Sequence, residues 1–166
     1  MHAVVFEGSP MNRALNVFLA FLRIAAGVGL LMAGIGKLGW FSSAEPLQKI
    51  FLNWQQHAPY AFVGKYVTLV QPHAGWMARV VVLGELGLGA LLIVGFLTPV
   101  AALLAFIMVL QFYFASGDLF AKKFVMPGGG LTFLLTFLVL FAGRAGQSLG
   151  LDGLIGRSMQ GGGPKK

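Results

Sequence analysis

Residues 80–99 read VVVLGELGLGALLIVGFLTP, a run that is apolar enough to cross a bilayer and contains one carboxylate, Glu85. A charged side chain near the bilayer centre costs about 2.5 to 3.5 kcal/mol on insertion scales, so it normally faces a partner, a cavity or a pathway. The stretch therefore predicts a transmembrane helix whose carboxylate faces a polar partner inside the protein.

The composition of the whole chain indicates an integral membrane protein. Hydrophobic residues make up 57% and charged residues 10% of the 166 residues, whereas about a quarter of the residues in a soluble domain are charged. The chain has no cysteine, which excludes disulfides, iron–sulfur clusters and thiol redox chemistry within it. Its formal charge of +7 is spread between apolar segments without a basic tract. This distribution favours contact with lipid headgroups over nucleic acid.

Four apolar runs predict an all-α fold, an integral membrane antiparallel four-helix bundle. The expected spans are about 15–38, 76–97, 99–116 and 128–143, between a polar leader at 1–14 and a polar, Gly-rich tail at 144–166 whose end, 161–166, looks disordered. In the first span, Ala25, Gly29 and Ala33 recur every fourth residue, which predicts that another helix packs closely there. Four spans place both termini on the same side of the membrane.

Residues 43–72, between the first two spans, have the pattern of amphipathic helices. Leu47, Phe51 and their neighbours one turn apart form one apolar side, and Val63 and Val67 form another. Neither piece is long or apolar enough to span, so we expect one or two helices in the membrane interface. They would either pack against the bundle or cover a lipid or quinone pocket.

One polar residue in each predicted span lies near mid-membrane. At 1.5 Å per residue, Arg23 lies roughly 12 Å from the terminal face, Glu85 and Thr136 roughly 18 Å, and Gln111 roughly 20 Å. These depths predict a salt bridge between Arg23 and Glu85 within an intramembrane polar layer. The pair is interpreted either as a structural contact that fixes the helices or as part of a quinone or proton site.

A second polar layer is expected nearer the opposite face, from Lys37, Arg79 and Asp118. Lys37 could instead extend its ammonium group to the headgroups. No catalytic residue and no metal site is predicted, because no cluster of His, Asp and Glu has ligand spacing. His57 and His73 lie outside the spans, which argues against an intrinsic haem.

Three sets of residues resemble the DoxX family of small four-helix membrane proteins. They are LR at 22–23 with Gly27, Gly34 and KL at 37–38; GELG at 84–87 with GFLT at 95–98 and AA at 101–102; and AGRAGQSL at 142–149 before Asp152. The fourth span begins GGGLT at 128–132, without the acidic residue that many relatives carry there. Glu85 is therefore the only carboxylate in the predicted spans.

The resemblance implies a membrane subunit of a quinone-linked redox assembly, related to the membrane subunit of thiosulfate:quinone oxidoreductase. It implies quinone as the ligand, no intrinsic cofactor, and other membrane or redox subunits as electron-carrying partners, with Arg23, Lys37 and Glu85 as the residues of interest. The alternative is a non-catalytic scaffold or accessory subunit of a larger complex. The expected location is the bacterial inner membrane. Basic residues divide five against five between the two sides, so cytoplasmic termini are only a working assignment.

Overall fold

The computed structural model describes residues 10–143, 145 and 150–154, with side chains from residue 14 onward. These residues form helices and turns without a strand, which confirms the all-α fold class. The helices are α1 (Pro10–Ile35), α2 (Glu45–Gln56), α3 (Ala61–Val70), α4 (Ala74–Val94), α5 (Thr98–Ala115), α6 (Lys122–Val125) and α7 (Gly130–Ala142).

Within the described residues, three helical segments are long and apolar enough to cross a membrane. They are Ala14–Ile35, Ala61–Val94 and Thr98–Ala115. The apolar helix α7 has 13 residues and measures about 20 Å, which is less than the roughly 30 Å of a hydrocarbon core. The chain is a multi-pass membrane protein, and its fourth span stays a prediction.

Helices α1 and α4 run antiparallel and touch through glycines. A Cβ atom built on Gly27 would lie 2.8 Å from the carbonyl oxygen of Gly89, and one built on Gly34 would lie 3.1 Å from the Cβ of Glu85. Such short distances mean that the two backbones approach closely, as small residues permit between membrane helices. The order of these contacts also sets the register of the pair.

Among the described residues, no helix packs closely against Ala25 and Gly29, where the sequence predicted a close helix contact. Both residues are exposed, and a Cβ atom on Gly29 would meet nothing within 4 Å. Gly27 makes the contact, and residues two positions apart on a helix do not share a face. Ala25 and Gly29 therefore lie on the side of α1 opposite to Gly27.

Two apolar clusters fill the interior of the described part of the chain. The first joins α1, α4, α5 and α7 and comprises Ala26, Leu30, Leu92, Ala101, Ala102, Ala105, Phe137, Leu140 and Ala145. The second joins α2 and α3 to α4 and α5 and comprises Leu47, Phe51, Val67, Ala74, Ala78 and Ala115. On α4, Glu85 lies between Ala78 of one cluster and Leu92 of the other. A carboxylate therefore separates two apolar cores.

Helices α2 and α3 occupy the segment predicted to be amphipathic, and their predicted apolar sides are the buried ones. A 3-10 turn at Gln71–His73 links α3 to α4. The ring of Tyr66 in α3 lies 5.1 Å from that of Phe114, near the end of α5. A straight run from α3 into α4 could not make this contact, so α3 turns back beside α5. A position in the membrane interface stays a prediction.

Two predicted boundaries need correction. Residues 10–14, assigned to the polar leader, belong to α1, whose first residue, Pro10, suits the start of a helix. Residues 150–154, assigned to the tail, pack on the turn between α4 and α5, where the Asp152 N–H donates to the Gly95 carbonyl at 2.9 Å. The rest of the predicted tail, including Arg144 and residues 161–166, lies outside the described residues.

Candidate functional site

Lys37 is the partner of Glu85. Its Nζ atom donates to both carboxylate oxygens, at 2.6 and 2.7 Å, and also lies 3.4 Å from the Ala33 carbonyl oxygen. Glu85 lies midway along α4 with 10% of its side chain exposed, and Lys37 has 27% exposed. Because α1 ends at Ile35, Lys37 follows the helix and its side chain can reach back towards α4. The result is a charge-assisted pair with little solvent around it.

The predicted salt bridge between Arg23 and Glu85 is wrong. Arg23 is 1% exposed, and its guanidinium packs against Gly95, where its Nη1 donates to the Ala145 carbonyl at 3.4 Å. Gly95 lies ten residues beyond Glu85, or about 15 Å along the chain direction of α4. The prediction measured the depth of each residue in the membrane from the ends of the apolar runs in the sequence. The glycine contacts instead place Arg23 opposite the far end of α4.

The remaining residues of the predicted inner layer do not join this pair. The Thr136 hydroxyl donates to the Thr132 carbonyl of its own helix at 2.9 Å. Gln111 lines an apolar cavity between α4 and α5, described below. The four residues Arg23, Glu85, Gln111 and Thr136 therefore belong to separate environments, because each helix turns its polar residue in a different direction.

The predicted outer layer is also divided. Arg79 is exposed, and its Nε donates to the Phe41 carbonyl at 3.4 Å. Asp118 pairs with Lys123 at 2.7 Å near the end of α5. Lys37 belongs to the inner pair with Glu85. The three residues thus make three different contacts.

An apolar cavity of about 310 Å³ lies between α2, α4 and α5. Its walls are formed by Leu47, Phe51, Trp54, Val70, Trp76, Met77, Val80, Val81, Gly84, Leu88, Leu104, Ile107, Met108, Gln111, Phe112 and Ala115. The mouth lies among Trp76, Val80 and Ile107, each more than half exposed. An opening among exposed apolar side chains of membrane helices faces lipid.

A smaller cavity of about 190 Å³ contains the ion pair. Lys37 and Glu85 form one side, and α5 supplies Met108, Val109, Phe112 and Tyr113. Met108 and Phe112 also line the apolar cavity. These two side chains are therefore a shared wall between a charged cavity and an apolar one.

A third cavity, of about 480 Å³, lies where α5 ends and α7 begins. Asp118, Lys123 and residues 126–130 contribute to its lining, together with Tyr113 and Phe124. Tyr113 lines this cavity and the one with the ion pair. The three cavities are consequently neighbours, with Tyr113 on one side of the ion pair and the Met108 and Phe112 wall on the other.

Asp152 has a role that sequence reasoning missed. Its Oδ1 accepts from the Leu97 N–H at 2.7 Å, and its Oδ2 accepts from the Thr98 N–H at 2.9 Å. A carboxylate there satisfies two otherwise unpaired amides and complements the positive end of the α5 dipole. The turn that Asp152 holds contains two residues in the left-handed region, Gly95 with φ 73° and Leu97 with φ 49°. No local pattern links an acid to a turn 54 residues earlier.

The partner of Glu85 left a weak signal in the sequence. Gly34 faces Glu85 directly, and Lys37 lies three residues later, just beyond the end of α1, so both are close to the same part of α4. Once the structure pairs Gly27 with Gly89 and Gly34 with Glu85, that register selects Lys37 over Arg23. No sequence pattern indicated the cavity that Lys37 and Glu85 line together with Tyr113.

Comparison with known proteins identifies the family. The family model of DoxX matches residues 18–117, more than half of the chain, and this range contains both Lys37 and Glu85. No curated protein and no solved structure matches the chain significantly. The chain belongs to the DoxX family.

Proposed function

We propose that this protein is a membrane subunit of a quinone-linked redox assembly, which binds quinone and docks a partner that carries the electrons. The supporting observation is the apolar cavity between α2, α4 and α5. Its volume of about 310 Å³ is at the lower end of the roughly 300 to 1,000 Å³ of small-molecule sites. Its mouth among Trp76, Val80 and Ile107 allows a lipid-soluble ligand to arrive from the bilayer.

The lining residues fit a quinone headgroup. Trp54, Trp76 and Phe112 provide aromatic surfaces for a planar ring, and the Gln111 amide can donate a hydrogen bond to a carbonyl oxygen. The chain has no cysteine, so redox chemistry would come from the bound quinone and from the partner. The protein contributes the cavity, the amide and the exclusion of water.

Quinone content tests the proposal. We expect quinone to be extracted from the purified wild-type protein, and Ile107→Trp to reduce the amount because the larger ring fills the cavity mouth. Leu135→Trp is the matched control, because Leu135 is an exposed apolar residue on α7 outside the cavity lining. Gln111→Leu removes one hydrogen bond and should weaken binding up to about tenfold. Extraction of lipid alone from the wild-type protein contradicts the proposal.

The alternative is a non-catalytic scaffold or accessory subunit, and one surface favours it. Ala25 and Gly29 are exposed on α1, where small residues would allow a helix of another subunit to approach closely. Gly29→Ile should then abolish co-purification of partner subunits and leave quinone content unchanged. Retention of the partners in this variant argues against docking on that side of α1.

For the location, we propose the bacterial inner membrane with both termini in the cytoplasm. The proposal rests on family membership and on an even number of spans, four, of which α7 would be the last. A reporter enzyme fused after the last residue should be active only in the cytoplasm. Activity confined to the periplasm contradicts this orientation.

A further inference from the structure

We propose that an outer cavity, lined by Asp118 and Lys123, and an inner cavity, lined by Lys37 and Glu85, form a water-filled route, and that this route delivers protons to the Glu85 carboxylate. The inference rests on the proposed function, since a subunit that works with quinone has a use for protons. The route itself is argued from cavities, exposure and charge. Its test does not require quinone.

The route begins at the third cavity, of about 480 Å³. Lys123 and Asp118, which pair on its wall, keep 69% and 36% of their side chains exposed, so water reaches them. Backbone carbonyl oxygens lie beside Gly129 in the lining, because a Cβ atom there would lie within 3 Å of the carbonyl oxygens of Phe124 and Met126. Charged side chains and carbonyl oxygens together provide the polar partners that ordered water needs.

Tyr113 stands between the outer cavity and the inner one. Its ring lines both cavities, and it packs edge-on against Phe124 with the ring centroids 5.4 Å apart. A Cβ atom built on Gly130 would lie 2.6 Å from its Cζ atom, so the ring is held beside the start of α7. The side chain between these two cavities therefore carries a phenolic oxygen, which both donates and accepts hydrogen bonds, whereas Met108 and Phe112, between the inner cavity and the apolar one, offer no such group.

The inner cavity has the volume to hold water and two charged side chains on one wall. Its volume of about 190 Å³ exceeds several times the roughly 30 Å³ that one water molecule occupies in the liquid. The Glu85 carboxylate and the Lys37 ammonium supply acceptors and donors on one wall. Met108 and Phe112 close the other side, so the water stops short of the apolar cavity.

The chemistry is one reversible proton transfer. A protonated water in the inner cavity gives its proton to the Glu85 carboxylate, which becomes a neutral carboxyl group while the water loses its charge; the reverse step returns the proton. Among the described residues, the titratable groups that line the inner cavity together with Glu85 are Lys37 and Tyr113. Asp118 and Lys123 lie further out along the route.

The absence of cysteine from the chain makes thiol labelling a direct test. Val109→Cys places a thiol on the inner cavity wall, and Leu135→Cys places one on the exposed apolar surface of α7 as the matched control. Lys123→Cys serves as the control for an exposed site at the outer cavity. The probe is a charged, membrane-impermeant methanethiosulfonate, added to either side of proteoliposomes that contain the full chain.

We expect the Val109→Cys protein to react at least tenfold faster than the Leu135→Cys protein, and from the same side as the Lys123→Cys protein. Equal slow rates for the Val109 and Leu135 variants, or reaction of the Val109 variant from the opposite side, overturns the route. In the wild-type protein, the infrared band of the protonated Glu85 carboxyl, identified by its loss in Glu85→Gln, should appear on acidification. Val109→Phe, which narrows the inner cavity, should delay it, and an unchanged rate contradicts the inference.

The two proposals fail separately. A protein that retains quinone but shows no labelling of the Val109→Cys variant loses this inference and keeps the proposed function. A protein with a reactive Val109→Cys variant and no quinone in any preparation keeps the route, and loses the proposed function.

Discussion

The Nζ atom of Lys37 lies 2.6 Å from Oε1 and 2.7 Å from Oε2 of Glu85, which joins the turn after α1 to the middle of α4. Each charge is satisfied by the other in a site with little solvent. Removing one of them leaves an uncompensated charge between two apolar cores, whereas removing both leaves an apolar gap. The pair thus couples the two helices electrostatically.

We expect Glu85→Gln and Lys37→Met each to lower the free energy of unfolding by about 3 kcal/mol, the low end for a broken buried pair because Lys37 is partly exposed. The double variant should lose less than the sum of the two. Tryptophan fluorescence during unfolding in mild detergent measures the double-mutant cycle. Strictly additive losses would show that the two side chains do not depend on each other.

The contact between Gly27 and Gly89 should tolerate no larger side chain. Gly27→Leu would push α1 and α4 apart, and we expect a loss of about 1 to 3 kcal/mol, as for other overpacked interiors. Gly29→Leu is the matched control on the same helix, because nothing lies within 4 Å of its Cβ position. The melting temperatures of the two variants measure the difference. Equal melting temperatures would show that α1 and α4 do not touch at Gly27.

Gly95 should be sensitive for two reasons. It has φ 73° and packs against the Arg23 guanidinium, so Gly95→Ala introduces both backbone strain and a steric clash. We expect a loss of more than about 1 kcal/mol. Gly87→Ala in α4, the helix that ends just before Gly95, meets nothing within 4 Å and should be neutral or stabilising, since alanine favours a helix. Thermal unfolding of both variants measures the difference, and the reverse order would contradict the position of Arg23.

Glu45 provides a pH-dependent contact outside the predicted spans. A hydrogen bond from Lys49 and the charge of that residue lower the pKa of Glu45 below its usual value, with the two groups 2.7 Å apart. Because the folded pKa is the lower one, the contribution to stability is present at neutral pH and is lost as the pH falls through the folded pKa.

A carboxyl ¹³C NMR titration of Glu45 tests this directly. Lys49→Gln should move the midpoint up towards that of an unstructured peptide. The effect on stability should be small, because exposed i,i+4 pairs contribute little. A midpoint that does not move in Lys49→Gln would show that another group sets the pKa.

Much of the fold could be predicted from the pattern of apolar and polar residues in the sequence. The hydrophobic fraction, the lengths of the apolar runs and the spacing of Leu47 and Phe51 predicted an all-α membrane protein with amphipathic helices before α4, because burial in lipid or against a neighbour leaves a periodic trace. The start of α1 at Pro10 and the docking of residues 150–154 were missed. Helix ends and distant chain contacts depend on neighbours that leave no such trace.

The sequence by itself determined that Glu85 lies in an apolar helix and needs a polar partner, since the cost of an isolated charge in lipid applies to any arrangement of the helices. Only the tertiary structure decided that the partner is Lys37 and that Arg23 lies at Gly95. That choice depends on the register of α1 against α4. Register is set where Gly27 and Gly89 let two backbones touch, and close packing of two surfaces is a property of the pair that neither helix carries alone.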